Sequence, residues 1–311
     1  MTRDDYPLLH KKMHRSVIAF PGREAISKGL DKSFYEEDVQ VKDIFEQASD
    51  CMKYDLAKMC YGGTRIHVKW EMICLVTHCY AIYKVIERMY GKPRAFAGYS
   101  QGEFIACVAA GVFELSDTLR LIHQLESILM SESSHDECMY RIIGIHKETL
   151  EKCCQKVDEN HEKVCVSSYI SHTQNIISGK YNHVKKVIEL AKKKGARWAI
   201  NLYAEKAYHS PLRNRAAYRA KADFEHMKVF NHAGPVYSCY DGTKSYNGKL
   251  IRDKLSRQIN HPIQWFTLVN NMKSEAIVDL IEIGPGCTVS ANTRIADSTL
   301  NCKWIGNIGD L

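Results

Sequence analysis

Gly98-Tyr99-Ser100-Gln101-Gly102-Glu103 decides how the rest of the chain is read. Before it, Gly91-Lys92-Pro93 ends an apolar helical run, and Arg94 to Gly98 reads as a short buried strand. After it, Glu103 to about Ala110 is apolar at helical spacing. G-x-S-x-G between a strand and a helix is the pattern of a nucleophile elbow. The sharp turn lifts the Ser oxygen to a helix N-terminus, which favours developing negative charge, while the glycines let neighbouring segments come close. Serine is a weak nucleophile at neutral pH and needs a base. The chain has 14 His, and spacing alone does not choose among them.

Moving outward, Ser16 to Phe20 reads as a buried strand ended by Pro21-Gly22, Tyr35 to Ala57 as mostly helical, and Trp70 to Tyr90 as a strongly apolar helix. Ser116 is a candidate cap for a helix starting at Asp117. From about 137 the character changes. Met139 to Ile145 reads as a strand, Lys147 to Val157 as a helix, Val164 to Ser171 and Gln174 to Gly179 as strands, Tyr181 to Gly195 as a helix and Arg197 to Leu202 as a strand. That order, β-α-β-β-α-β, predicts a ferredoxin-like unit. Val236 to Cys239, Lys249 to Gln258 and Ile277 to Ile283 then read as strand, helix and strand. The predicted fold class is α/β: a large α/β-hydrolase-like subdomain carrying the elbow (1–136 and 203–311), with an inserted ferredoxin-like small subdomain (137–202).

Composition narrows the function. With 311 residues, 45% hydrophobic and 25% charged, the chain suits one large domain with a smaller one embedded. The net charge of +7 is diffuse, with no basic run interleaved with aromatics, so nucleic acid is not the expected partner. The 137–202 stretch holds twelve Lys/Arg against seven Asp/Glu: a solvated helix face, or a dock for an acidic partner. The 12 Cys are scattered without a CxxC pair, which predicts reduced thiols in a cytoplasm and no metal site. Met1 to Arg15 is polar and no apolar run reaches membrane-spanning length, so neither a secretory signal nor a membrane is expected.

Gly98 to Glu103 resembles the GHSxGE motif of malonyl-CoA:acyl carrier protein transacylases and polyketide synthase acyltransferase domains. Phe20-Pro21-Gly22 resembles that family's FPGQG, and Ala207-Tyr208-His209-Ser210-Pro211-Leu212 its histidine motif. Arg257-Gln258 with Pro262-Ile263-Gln264-Trp265 is similar to its RQ…NPVQW, and Glu282-Ile283-Gly284-Pro285-Gly286 to its EVGPG. The resemblance implies Ser100 as nucleophile and His209 as base, with Gln258 supplying a side-chain or backbone oxygen to orient the imidazole. It further implies an oxyanion hole from the backbone N–H groups of Gln101 and Arg23. The substrate is a thioester on phosphopantetheine or CoA, and no other cofactor is expected. The implied partner is an acyl carrier protein domain of a polyketide synthase, served by a cytoplasmic monomer.

Three departures shape the expected pocket. Ungapped alignment from the elbow puts Leu125 where malonyl-type members carry the Arg that grips the free carboxylate. An apolar Leu predicts rejection of malonyl and acceptance of an uncharged acyl chain. Arg23-Glu24 replaces Gln-Gly of FPGQG. Here Arg23 is expected to pair with Glu24 and face solvent, the other reading being a relocated clamp. Tyr99 stands in the usual His position, and Tyr208 beside His209 predicts a small or linear acyl group. These departures resemble the free-standing acyl hydrolases of trans-acyltransferase polyketide synthases and favour a proofreading hydrolase. A trans-acting acyltransferase that loads malonyl or another unit is the alternative, and a weakly active carrier-docking module is the third.

Overall fold

A computed structural model describes residues 13–132, 136–231 and 234–311. Most of the polar stretch read at residues 1–15 lies outside them. Strand β1 (Ser16–Phe20) is followed by helices α1 (Ser33–Glu37), α2 (Val39–Met52), α3 (Leu56–Tyr61) and α4 (Val68–Tyr90). Then come β2 (Ala95–Gly98), α5 (Gly102–Ala109) and α6 (Leu115–Ser131). The residue that caps α6 is Glu114, and Ser116 lies inside the first turn, so the cap expected there is absent.

The next segment runs β3 (Glu137–Ile143), α7 (Lys147–Val157), β4 (Val164–Tyr169), β5 (Gln174–Lys180), α8 (Tyr181–Lys193) and β6 (Trp198–Asn201). The chain continues through α9 (Asn214–His226), β7 (Val236–Tyr237), β8 (Lys244–Ser245), α10 (Gly248–Arg257) and α11 (Trp265–Ser274). It ends with β9 (Asp279–Ile283), α12 (Thr288–Ala296) and β10 (Asn301–Ile305).

Two sheets result. The larger has the order β10-β9-β1-β2-β7-β8, parallel except for the β7/β8 pair. β1 sits between β2 and β9 and is buried along its whole length. That burial is why its five residues read as a continuous apolar run and not as an alternating one. Ile18 and Phe20 face a core shared with α4 and α6, while Val17 and Ala19 face a second core built on Trp265, Leu268 and Val269 of α11. Pairing of Phe20 with Gly98 brings the C-terminal ends of β1 and β2 side by side. The segments after both strands therefore meet at one edge of the sheet, where open α/β folds place their ligands.

The smaller sheet is antiparallel, in the order β4-β5-β3-β6. This is the connectivity that the β-α-β-β-α-β reading predicts. α7 and α8 cover one face through Leu150, Cys153, Cys154, Val184 and Val187. Cys153 and Cys154 are both buried, and all 12 cysteines are free. The other face presents Met139 and Ile176, which pack with Ile170, Leu202 and Tyr208. That face looks onto the turn carrying His209, and Ser178 Oγ donates to the Tyr208 carbonyl at 2.9 Å. No helix among the described residues is long and apolar enough to cross a membrane.

Candidate active site

Ser100 has φ +55°, in the left-handed region that costs a non-glycine residue roughly 1–3 kcal/mol. The surrounding backbone holds it there. Tyr99 N–H donates to Phe20 O at 2.9 Å, Gly102 N–H to Tyr99 O at 2.9 Å and Glu103 N–H to Ser100 O at 3.0 Å. The two motif glycines are needed for contact. A β-carbon on Gly98 would collide with the Gly102 carbonyl, and one on Gly102 with the Phe20 carbonyl. The small residues thus let β1, β2 and α5 converge, and the serine between them is pushed outward.

His209 also has a left-handed backbone, with φ +55°. Its turn is braced on both sides. Ala207 N–H donates to Glu137 Oε2 at 2.9 Å, and Arg213 pairs with Glu137 Oε1 at 2.5 Å, both side chains being buried. The result is a 2.6 Å hydrogen bond between Ser100 Oγ and His209 Nε2 across 109 residues of sequence. On the far side of the ring, His209 Nδ1 lies 2.8 Å from the Gln258 backbone carbonyl. A carbonyl only accepts, so Nδ1 carries the proton and Nε2 is the basic nitrogen that faces the serine. Burial pushes His209 down to about 4, opposed in part by the Gln258 carbonyl. The imidazole is therefore neutral at physiological pH, as a base must be.

Of the two oxygens considered for Gln258, the backbone one meets the histidine. Its side chain does another job: Nε2 donates to Glu103 Oε2 at 2.6 Å. The same carboxylate oxygen accepts Cys239 N–H at 2.7 Å. Glu103, fully buried and pushed up to about 7 by desolvation, thus ties the helix after Ser100 to the residue that orients His209. In the sequence Glu103 is the last residue of the elbow motif, with no role evident from spacing. A charged residue on an otherwise apolar helix was the signal available.

A cavity of about 690 Å³ opens beside the pair, and Tyr99, Ser100, Gln101, Leu125, Tyr208 and Gln258 all line it. Tyr99 OH is 2.8 Å from Ser168 Oγ, and its ring meets Trp265 edge-on at 5.5 Å. Gln101, just ahead of α5, has an N–H among the first-turn donors with no acceptor inside the helix. Arg23 opens the short helix after β1.

The Arg23 side chain departs from expectation. It turns into the cavity instead of pairing with Glu24 and facing solvent. Its NH2 group pairs with Glu126, NH1 with Glu71 at 3.2 Å and with the Val68 carbonyl at 3.1 Å, and Nε donates to Gln101 Oε1 at 3.1 Å. The reason is Glu126. It is fully buried next to Leu125, and a buried carboxylate without a cation costs several kcal/mol. Gln101 Nε2 also donates to Glu126, at 2.9 Å. The Tyr208 ring completes the enclosure, 6.0 Å from the Arg23 guanidinium carbon.

No protein-family model matches the chain. Individual proteins do. A malonyl CoA-acyl carrier protein transacylase from Haemophilus influenzae is 29% identical over 289 residues, covering 91% of this chain and 92% of that protein. The Escherichia coli K12 enzyme of the same name is 29% identical over 94% of this chain and 96% of its own. An acyl carrier protein S-malonyltransferase from Vibrio cholerae superposes with a TM-score of 0.90 at 26% identity, over 95% of this chain and 98% of that one. The transacylase in a solved complex of a type II polyketide synthase acyl carrier protein with its malonyl-transacylase matches with a TM-score of 0.87 at 25% identity, over 94% and 96%. These relatives favour the transferase alternative of the sequence reading and give the hydrolase branch no support. Over more than nine tenths of its length, in sequence and in both of its sheets, the chain is similar to the malonyl CoA-acyl carrier protein transacylases.

Proposed function

We propose that the protein is an acyl-carrier-protein S-acyltransferase of malonyl type, working through an acyl-serine intermediate. The observation that carries this reading is the 2.6 Å contact between Ser100 Oγ and a neutral His209 whose other nitrogen is held by the Gln258 carbonyl. In the first half-reaction Ser100 Oγ attacks the thioester carbonyl as its proton passes to His209 Nε2. The oxyanion is received by the backbone N–H groups of Gln101 and Arg23, each worth roughly 3 kcal/mol to the transition state. The C–S bond breaks and the thiolate takes the proton from His209. In the second half the phosphopantetheine thiol of a carrier protein gives its proton to His209 and attacks the acyl-serine ester; the acyl C–Oγ bond breaks and Ser100 Oγ takes that proton back from His209 Nε2. The names of the relatives support malonyl as the unit, and the solved complex supports a polyketide-type carrier as one acceptor. We take 137–202 as the small subdomain that faces the carrier, and a thiol-reducing cytoplasm as the setting.

The test is a two-substrate reaction. With malonyl-CoA and a holo acyl carrier protein, intact-mass analysis is expected to show malonyl on the carrier. Free malonate with no loaded carrier would overturn the transferase reading. Hydrolysis is retained as a second reading because apolar Leu125 lines the cavity. It predicts release of acetyl or longer acyl groups to water, through the same Ser100 ester.

A further inference from the structure

The cavity contains more than one cation, and their surroundings differ. On the wall that carries Leu125, Arg23 spends its donors on Gln101, Val68, Glu71 and Glu126. Lys206 lies on the same side, within electrostatic reach of Glu126. Two cations there face two carboxylates, so a third carboxylate arriving with a substrate would meet no net positive charge. Arg65 also lines the cavity but is exposed.

The wall formed by the small sheet is different. Arg141 of β3 lines the cavity on the rung Arg141–Ile176–Ser168 of the small sheet, and the Ser168 hydroxyl meets Tyr99, the neighbour of Ser100. Among the described residues Arg141 makes no ion pair. Its single side-chain hydrogen bond there is a 3.3 Å contact from NH2 to Asn292 Oδ1. Arg141 Nε is buried with no partner, and so is Asn292 Nδ2. Asn292, on α12, is 1% exposed and lies one turn beyond Thr288, which lines the cavity. Buried donors without an acceptor carry a desolvation penalty. A ligand carboxylate in the cavity would supply an acceptor to the guanidinium. Glu24 also lines the cavity within electrostatic reach of Arg141, but it is exposed and forms no ion pair with that guanidinium.

We infer that Arg141 and Asn292 form the subsite for a free carboxylate on the acyl group, which makes this pocket selective for dicarboxylic acyl thioesters without an arginine at position 125. The inference rests on the acyltransferase reading above and names the residues that would set its substrate class. A guanidinium donates to a carboxylate bidentately, and the buried Asn292 behind it accepts from NH2 and so positions the guanidinium. The subsite lies on the rung whose Ser168 meets Tyr99, the neighbour of the nucleophile, so it suits the acyl end of the substrate and not the phosphates of the carrier arm.

The experiment compares single-turnover acylation of Ser100 by malonyl-CoA and by acetyl-CoA at equal concentration, read by intact mass on the full chain. The parent is expected to prefer malonyl. Arg141→Gln is expected to lower the malonyl-to-acetyl ratio roughly 100-fold and Asn292→Leu roughly 10-fold, consistent with hydrogen bonds to a charged group. Arg141→Lys should restore part of the ratio. A parent that prefers acetyl would overturn the inference, as would an unchanged ratio in Arg141→Gln or a ratio that collapses in Lys206→Met alone. If Arg141→Gln fails to fold, Asn292→Leu carries the same comparison. Absence of any acyl-Ser100 with either thioester would instead refute the acyltransferase reading.

Discussion

Removing the Glu103 carboxylate should damage stability and chemistry together, because one oxygen serves both. In Glu103→Ala, Cys239 N–H and Gln258 Nε2 lose their acceptor in a fully buried place. Each stranded donor costs about 1–3 kcal/mol, so a loss of about 3–4 kcal/mol is expected, eased by any water that enters the space left. Glu103→Gln keeps an acceptor oxygen in nearly the same shape. The native carboxyl, pushed up to about 7, is already far from fully charged at neutral pH, so this change should cost only about 1 kcal/mol. The chemical effect follows through Gln258. Without its side-chain anchor the Gln258 carbonyl no longer holds His209 Nδ1 in register, and displacements of this kind cost roughly 10- to 100-fold in rate. Urea unfolding gives the first quantity, and the rate of Ser100 acylation in the folded fraction gives the second. A Glu103→Ala protein within about 0.5 kcal/mol of the parent, acylating at the parent rate, would refute this chain of contacts.

Other consequences are equally direct. Ser100→Ala and His209→Ala should each lower activity by orders of magnitude, and the double variant should be little worse than either, since the two act as a unit. Gly98→Ala should abolish folding or activity outright, because its β-carbon overlaps the Gly102 carbonyl; circular dichroism and an acylation assay will show which, and a fully active variant would mean the elbow is looser than described. In Glu103→Gln, where that carboxyl no longer titrates, acylation by acetyl-CoA should be pH-independent from about 5.5 to 8 and fall only as the pH approaches 4, because burial holds His209 neutral to about 4. An inflection near 6.5 would place the imidazole in solvent. The same shift has a stability counterpart. The unfolded chain takes up a proton near 6.5 that the folded chain refuses until about 4, so the contribution of His209 to stability, read as the difference between the parent and His209→Ala, should decline as pH falls through that window, while the raised Glu103 carboxyl acts in the opposite direction.

Much of this arrangement was legible in the sequence, for a physical reason. The elbow, the β1 turn and the His209 turn depend on backbone geometry that only a few residue types tolerate, so Gly98, Gly102 and Pro21-Gly22 stand out. The small sheet was readable because its strands and helices switch periodicity cleanly. α9 was missed because its buried stripe is narrow, with Ala216, Ala220 and Phe224 set among charged residues. α12 and β10 were hidden by similar dilution: β10, on the sheet edge, exposes Asn301, Lys303 and Trp304 and fully buries only Ile305. The electrostatics of the pocket were not readable at all. Whether Arg23 pairs with its neighbour Glu24 or with Glu126, 103 residues away, depends on which carboxylate is buried, and burial is a property of the fold. The same holds for Arg141, which in the sequence is one more Lys/Arg of a basic segment. In the structure it is a guanidinium beside an amide with neither fully bonded.

The most direct test of the central claim is to mix the purified chain with malonyl-CoA, quench within one turnover and map the adduct by peptide mass. The account predicts a malonyl ester on the peptide containing Ser100, absent in Ser100→Ala and discharged when holo acyl carrier protein is added. An unmodified Ser100 peptide, or an adduct on a cysteine that survives Ser100→Ala, would contradict it.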